Sequence, residues 1–233
     1  MAGGDILPDM RRSQADTHDG PHGRAEGRRS PGPRRPRTAL QFLIVLSGTE
    51  PLVWRRILVP TRYTFWDLHV AIQDAMGWTD HHLHEFEVAG PDPGAAPLRI
   101  GIPDEEFLEP TPLLAGWELK VERLFQHQKV ARYHYDFGDD WIHAVVHEGF
   151  AWPAPRMKLP ACIGGACACP PEDCGGLSGY ERFLEILANP QHPEYHETLQ
   201  WAGGSWDRDR FDPAAVKFDD PKVRWRIAFE EEA

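Results

Sequence analysis

A chain of 233 residues with 41% apolar and 11% aromatic side chains can bury a core of domain size, and no stretch approaches the roughly 20 apolar residues that span a bilayer. The N-terminus lacks the apolar centre of a secretory signal, so a cytoplasmic protein is expected. Residues 1 to 38 carry eight Arg and five acidic residues, which leaves 17 basic against 31 acidic side chains in the remainder, a net charge of −14; because phosphate neutralisation supplies most nucleic-acid affinity, the folded part is not expected to bind nucleic acid non-specifically.

Residues 1 to 38 are rich in Gly, Pro and Arg with almost no apolar side chains, and cannot bury enough surface to offset the entropy of ordering. A disordered tail is expected there, serving as a basic arm for nucleic acid or as an extension with no role. At Ala39 the pattern changes. LQFLIVLSG and LVWRRILVP are β-branched runs separated by the turn-forming TEP, which predicts a hairpin. Trp54 is expected in its core, with Arg55 and Arg56 solvated or ion-paired, or gripping an acidic partner. TFWDLHVAIQDAMGW places Phe65, Leu68, Ala71, Ile72, Ala75 and Met76 at helical spacing behind a capping Thr64 and before a stopping Gly77.

HLHEFEVAG alternates as a strand does, with His82 and His84 on one face, and PDPGAAP breaks it. Residues 98 to 126 hold two short apolar clusters, LLAGWEL and VERLF. KVARYHYDFG and WIHAVVHEGF predict a second hairpin with Gly138, Asp139 and Asp140 in the turn. Along its second strand Trp141, His143, Val145 and His147 share one face and Ile142, Ala144 and Val146 the other, so the wholly apolar face is expected against the core and the His-bearing face along a surface or groove. Downstream, SGYERFLEILANP predicts a helix capped by Ser178, with a Tyr180, Phe183, Leu184, Leu187 stripe. HPEYHETLQWAGG predicts another, with Pro193 near its first turn, and DDPKVRWRIAFEEE a third, starting at Asp219 or Asp220 with Pro221 in its first turn. The layout is α+β: a mixed or antiparallel sheet of hairpins with helices packed over it, in a single domain over residues 39 to 233, without internal repeats.

Candidate chemistry concentrates in YDFGDDWIH and CIGGACACPPEDCGG. The first offers Asp136, Asp139, Trp141 and His143, the second Glu172 and Asp173. All four cysteines, Cys162, Cys167, Cys169 and Cys174, are read as sharing one loop. Crowded thiols suit a reducing compartment better than a disulfide framework. Their x4, x1, x4 spacing departs from the paired CxxC knuckles of structural zinc sites, so two readings stand: a loop pinned by turns without metal, or a loop wrapped by its Gly and Pro round a zinc ion held by the four thiolates, one of which His192 or His196 could replace. In PPEDCGG, Glu172 and Asp173 are read as acceptors for amides of their own turn, and Gly175 and Gly176 as residues permitting positive φ. Asp136 and Asp139 are read as satisfying turn amides, Trp141 as packing, and His143 as bonding a carboxylate. The kinase-like triplet DFG lacks the Gly-rich loop, Lys and HRD partners and carries no kinase reading.

PLVWRRILVP, TFWDLHVAIQDAMGW, HLHEFEV, YDFGDDWIH, PPEDCGGLSGYERFLEIL, HPEYHETLQW and FDP follow one another in an order that resembles the plasmid pRiA4b ORF-3-like family, from about Leu40 to Pro213. The resemblance implies a place among bacterial and archaeal proteins of plasmids and chromosomes, some labelled resolvases of transposable elements. A serine resolvase needs a catalytic Ser beside an Arg cluster and a basic recognition helix, and this chain offers neither. The first 38 residues and the segment after Pro213 depart from the pattern. The leading expectation is a non-enzymatic binding or accessory domain linked to mobile elements. The alternative is a metal-dependent, hydrolase-like enzyme built from Asp136, Asp139, His143, Glu172 and Asp173, with contact expected between Asp136 or His143 and the loop from Cys162 to Gly176.

Overall fold

A computed structural model of the chain describes residues 38–90, 94–103 and 111–230. The expected tail over residues 1 to 38 lies, Thr38 apart, outside them. The apolar run beginning at Ala39 forms strand β1 (Ala39–Leu46), which pairs antiparallel with β2 (Trp54–Pro60), Leu40 opposite Val59. Period-two alternation sends Leu40, Phe42, Ile44 and Leu46 into the core.

Helix α1 (Phe65–Met76) follows. Thr64 Oγ1 accepts from the Asp67 amide at 3.2 Å, Asp67 Oδ2 accepts from the Thr64 amide at 2.9 Å, and Gly77 ends the helix with φ 89°. Next come β3 (His84–Val88), β4 (Leu98–Gly101), β5 (Leu113–Ala115) and a short α2 (Val121–Phe125), the last two arising from LLAGWEL and VERLF. β6 (Val130–Tyr135) and β7 (Trp141–Ala151) form the second hairpin. β8 (Ala161–Ala166), α3 (Gly176–Ala188), α4 (Tyr195–Trp201) and α5 (Pro221–Phe229) complete the chain. One mixed sheet runs β5-β4-β3-β6-β7-β1-β2-β8, antiparallel except between β4 and β5. The fold is α+β with one core, and among the described residues no helix is long and apolar enough to cross a membrane.

The sheet order corrects the assignment of β7's faces. β7 lies between β6 and β1, with His143 opposite Leu46 and Tyr133, and Val145 opposite Ile44. Opposed residues share a face, so the deeply buried Leu46 and Ile44 carry Trp141, His143, Val145 and His147 into the core, and Ile142, Ala144 and Val146 take the half-covered face. Two imidazoles among aromatic rings had suggested an outer surface, but register decided the matter.

Two smaller expectations change for local reasons. Arg55 is buried rather than solvated: Nε donates to Ala75 O at 2.9 Å, a guanidinium nitrogen donates to Ala166 O at 2.9 Å, and the guanidinium lies 3.7 Å from the centroid of Phe211. Its charge thus neutralises the carbonyl end of α1, while Arg56 pairs at the surface with Glu148 at 2.7 Å. α3 begins at Gly176 behind Gly175, because a positive-φ Gly pair turns the chain before Ser178, which sits inside the helix. Pro193 stands near the first turn of α4 as expected, directly before the cap, Glu194. α5 starts as expected, with Asp220 accepting from the Lys222 amide.

Candidate functional site

The two polar motifs meet, and the segment linking α1 to β3 joins them. In the β6–β7 turn Asp136 adopts φ 55° and its Oδ1 accepts from the amides of Gly138 at 3.0 Å and Asp139 at 3.3 Å, closing the turn in the left-handed conformation that a short polar side chain tolerates. Asp136 Oδ2 is left facing His82. Across the turn, Asp139 Oδ2 accepts from the Gly175 amide at 3.0 Å. Gly176 approaches so closely that a Cβ there would stand 2.5 Å from the Asp139 carbonyl oxygen, which accounts for a Gly at this position.

Glu172 and Asp173 do not serve amides of their own turn. Thr79 donates to Glu172 Oε2 through its amide at 2.8 Å and through its hydroxyl, and the Tyr135 hydroxyl donates to Glu172 Oε1. Burial alone would raise the Glu172 carboxyl, but these hydrogen bonds outweigh it and hold the group below its ordinary value. Burial, with the Glu172 contact added, keeps the Tyr135 phenol far above its usual range, so it stays a donor. The Tyr135 oxygen also accepts from the His81 amide at 3.1 Å.

His82 Nε2 lies 2.7 Å from Asp173 Oδ1 and 3.6 Å from Asp136 Oδ2. Its partial burial disfavours the charged form, yet the hydrogen bond to Asp173 and the charges of Asp136, Asp173 and Glu172 raise it above the ordinary imidazole value. Beneath this layer Trp78 donates Nε1–H to Pro170 O at 2.9 Å, stacks on Tyr135 with centroids 5.2 Å apart, and meets His143 edge-on at 5.4 Å.

Of the residues singled out from sequence, Asp136, Asp139, Glu172 and Asp173 thus gather at one junction. Trp141 and His143 lie in the core below it. Neither ring nitrogen of His143 finds a hydrogen-bond partner of good geometry, and burial pushes the imidazole down to about 3, the backbone of Tyr133 and Trp141 opposing only in part. The expected contact with the loop runs through Asp139 and His82, not through His143.

The cysteines do not share one loop. Cys162 belongs to β8, the edge strand, opposite Ile57, and Cys167, Cys169 and Cys174 follow in the loop. Burial pushes the Cys169 and Cys174 thiols up to about 12. Among the described residues, two sets of three His, Cys, Asp or Glu bring their ligand atoms within 4.8 Å of one another: His82 with Asp136 and Asp173, and His69 with Asp80 and His84. The four thiols form no such set.

His69 and Asp80 of the second set were missed. His69 rises from α1 beside its apolar stripe, with Nε2 2.7 Å from Asp80 Oδ1 and Nδ1 2.8 Å from the Tyr133 hydroxyl, which also accepts from Gln73. His84 stacks on it at 3.4 Å. Arg224 of α5 closes over Asp80 and Asp74, and burial raises the Asp74 carboxyl to about 6 although Arg224 opposes it. A polar residue beside an apolar helix stripe was the available signal for His69; Tyr135 and Thr79 had none in their local sequence.

The family model of plasmid pRiA4b ORF-3-like proteins matches residues 38–215, a span that includes every residue of the junction but stops short of α5. A relative in Sinorhizobium fredii, described as the uncharacterized protein y4hQ, is 37% identical over 199 residues, covering 81% of this chain and 94% of its own. The crystal structure of a protein of unknown function, MM3350 from Methanosarcina mazei Go1, is similar with a TM-score of 0.70 at 40% identity, over 78% of this chain and 98% of that one.

Proposed function

The chain belongs to the plasmid pRiA4b ORF-3-like family, and from that footing we propose that it is a non-enzymatic binding domain whose site is the junction of the β6–β7 turn, the α1–β3 segment and the PPEDCGG loop. The observation that carries this reading is the prebuilt network around Glu172: three segments distant in sequence are locked together by Tyr135, Thr79, His82 and Asp139 at the protein surface. Rigid, pre-satisfied polar groups suit recognition, since little freedom is lost on binding. General acid–base catalysis instead calls for groups that titrate near neutrality and reach the reacting atom. His143 is enclosed and the Cys169 and Cys174 thiols are held protonated, which takes these three groups out of acid–base work.

The plasmid in the family's description supports a link to mobile elements. Four free cysteines suit a reducing, cytoplasmic compartment, and the acidic balance of residues 39 to 233 argues against general nucleic-acid binding. The test is a calorimetric and thermal-shift screen of small solutes against the full chain and Asp173→Ala, whose side chain is exposed. Saturable stabilisation lost in the variant, with ligand recovered unchanged, is the expected result. A compound converted to product by the wild-type chain and spared by Asp136→Asn refutes the non-enzymatic reading.

One observation favours a second reading, a metal-dependent hydrolase. The imidazole of His82 and the carboxylates of Asp136 and Asp173 present a ligand set of the kind that holds zinc or a similar divalent ion. Such an ion would displace the proton that His82 shares with the carboxylates, so its affinity should rise with pH. Elemental analysis and zinc titration decide it: near-stoichiometric zinc lost in His82→Ala supports the metal site, and equal uptake by wild type and variant removes it.

A further inference from the structure

Beside the PPEDCGG loop, Met76, Trp78, Cys169, Glu172, Trp201 and Trp206 line an open recess of about 410 Å³, with Glu172 common to it and to the junction. We propose that this recess binds a quaternary ammonium head group, a ligand class that gives content to the binding reading above and rests on it.

Three indoles from separate segments meet at the recess, and each is positioned from behind. Trp78 is fixed by its stack on Tyr135 and its bond to Pro170. Trp201, at the end of α4, and Trp206, in the loop after it, both pack edge-on against Phe183, at 6.0 and 4.9 Å. Trp201 is 51% exposed, so its indole is open to a ligand entering the recess. Indole faces attract cations through the ring quadrupole, most strongly those that shed water readily.

The fourth wall supplies the charge. Glu172 is an ionised carboxylate whose three donors, the Thr79 amide and hydroxyl and the Tyr135 hydroxyl, are all neutral. Among the described residues no Lys or Arg pairs with it, the imidazoles of His81 and His82 act on its charge without bonding it, and a partly buried carboxylate so placed favours a cation. A carboxylate has about four acceptor positions, so three accepted bonds leave little capacity for further N–H donors while the full negative charge remains. A primary ammonium or guanidinium, which depends on those donors, fits poorly. A trimethylammonium group needs none, and its methyl surface matches the aromatic walls. The net charge of −14 over residues 39 to 233 adds long-range attraction for any cation.

The experiment titrates the full chain with choline, with a trimethyl-lysine peptide, and with the uncharged carbon isostere of choline, 3,3-dimethylbutan-1-ol, following tryptophan fluorescence and heat. Saturable quenching by choline is expected, with the isostere at least about tenfold weaker, a difference of about 1.4 kcal/mol. Tighter binding of the peptide than of choline identifies a protein side chain as the source of the head group, and the reverse a free solute. Trp201→Ala, at an exposed position, should weaken choline about tenfold or more and Trp201→Phe much less, with circular dichroism unchanged. Equal affinity for choline and its isostere, or no binding of either trimethylammonium probe up to about 10 mM, overturns the assignment. In that event other solutes that still bind in an Asp173-dependent way leave the binding reading standing.

Discussion

Replacing His143 by Leu separates a core imidazole from a working one. In the folded chain both ring nitrogens are desolvated without well-formed hydrogen bonds, and the imidazole is pushed down to about 3. In the unfolded chain it titrates near 6.5. The folded value is the lower, so the contribution is fully present above about pH 6.5 and is lost as pH falls toward the folded value, because the unfolded chain takes up a proton that the folded chain refuses. At about pH 5 the gap of roughly 1.5 units corresponds to about 2 kcal/mol, at about 1.4 kcal/mol per unit. Leu is close in volume and carries no polar atoms, so His143→Leu should be neutral or stabilising by about 1 kcal/mol near pH 7.5, since it removes two unpaired polar atoms. The variant should also lose about 2 kcal/mol less than wild type on acidification to about pH 5. Burial lowers His84, His134 and His147 too, so the variant retains part of the slope. Urea unfolding followed by far-ultraviolet circular dichroism at the two pH values measures both quantities. A variant that is destabilised by more than about 2 kcal/mol at neutral pH, or that keeps the whole wild-type pH dependence, refutes the placement of His143 as an unpartnered core group.

Tyr135→Phe and Glu172→Gln should each destabilise by about 1–3 kcal/mol and couple by about 1 kcal/mol or more in a double-mutant cycle, because they remove the same charge-assisted hydrogen bond; additivity within about 0.5 kcal/mol in urea unfolding would show that the bond contributes nothing. Gly176→Ala should lower stability by about 1–3 kcal/mol, since its Cβ meets the Asp139 carbonyl oxygen at a backbone φ of 67°; an unchanged melting temperature rules out that close approach. A chain spanning residues 38 to 233 should show no salt-sensitive binding to random duplex DNA near physiological ionic strength, as judged by fluorescence anisotropy. Micromolar affinity with a steep salt slope would overturn the charge argument.

Local signals in the sequence were sufficient for α1, whose Thr64 and Asp67 cap and Gly77 stop all act within a few residues of one another, and for the β1–β2 and β6–β7 hairpins, whose alternating runs flank short turns. They served less well at α3, where the Gly175–Gly176 turn outranked the capping potential of Ser178, and at Cys162, whose closeness in sequence to the other thiols suggests one loop although it belongs to an edge strand. Arg55 shows the same limit: nothing in WRRILV distinguishes a guanidinium that caps the end of α1 from its solvent-facing neighbour Arg56.

The family, the α+β class and the crowding of carboxylates in YDFGDDW and PPEDCGG were determined by the amino-acid sequence by itself, because hydrophobic period, turn chemistry and motif order are properties of short segments. Which side of β7 is inner, and which polar groups meet, only the tertiary structure decided. His143 is a core residue because β1 pairs with β7 in a register set by residues about 100 positions away in the chain, Leu46 opposite His143. Asp173 and Glu172 turn from their own loop to His82, Thr79 and Tyr135, from which they are 91, 93 and 37 residues distant. Contacts at such separations follow from packing a whole sheet at once, where one strand's register selects the face of every residue on its neighbour, and no local pattern encodes that choice.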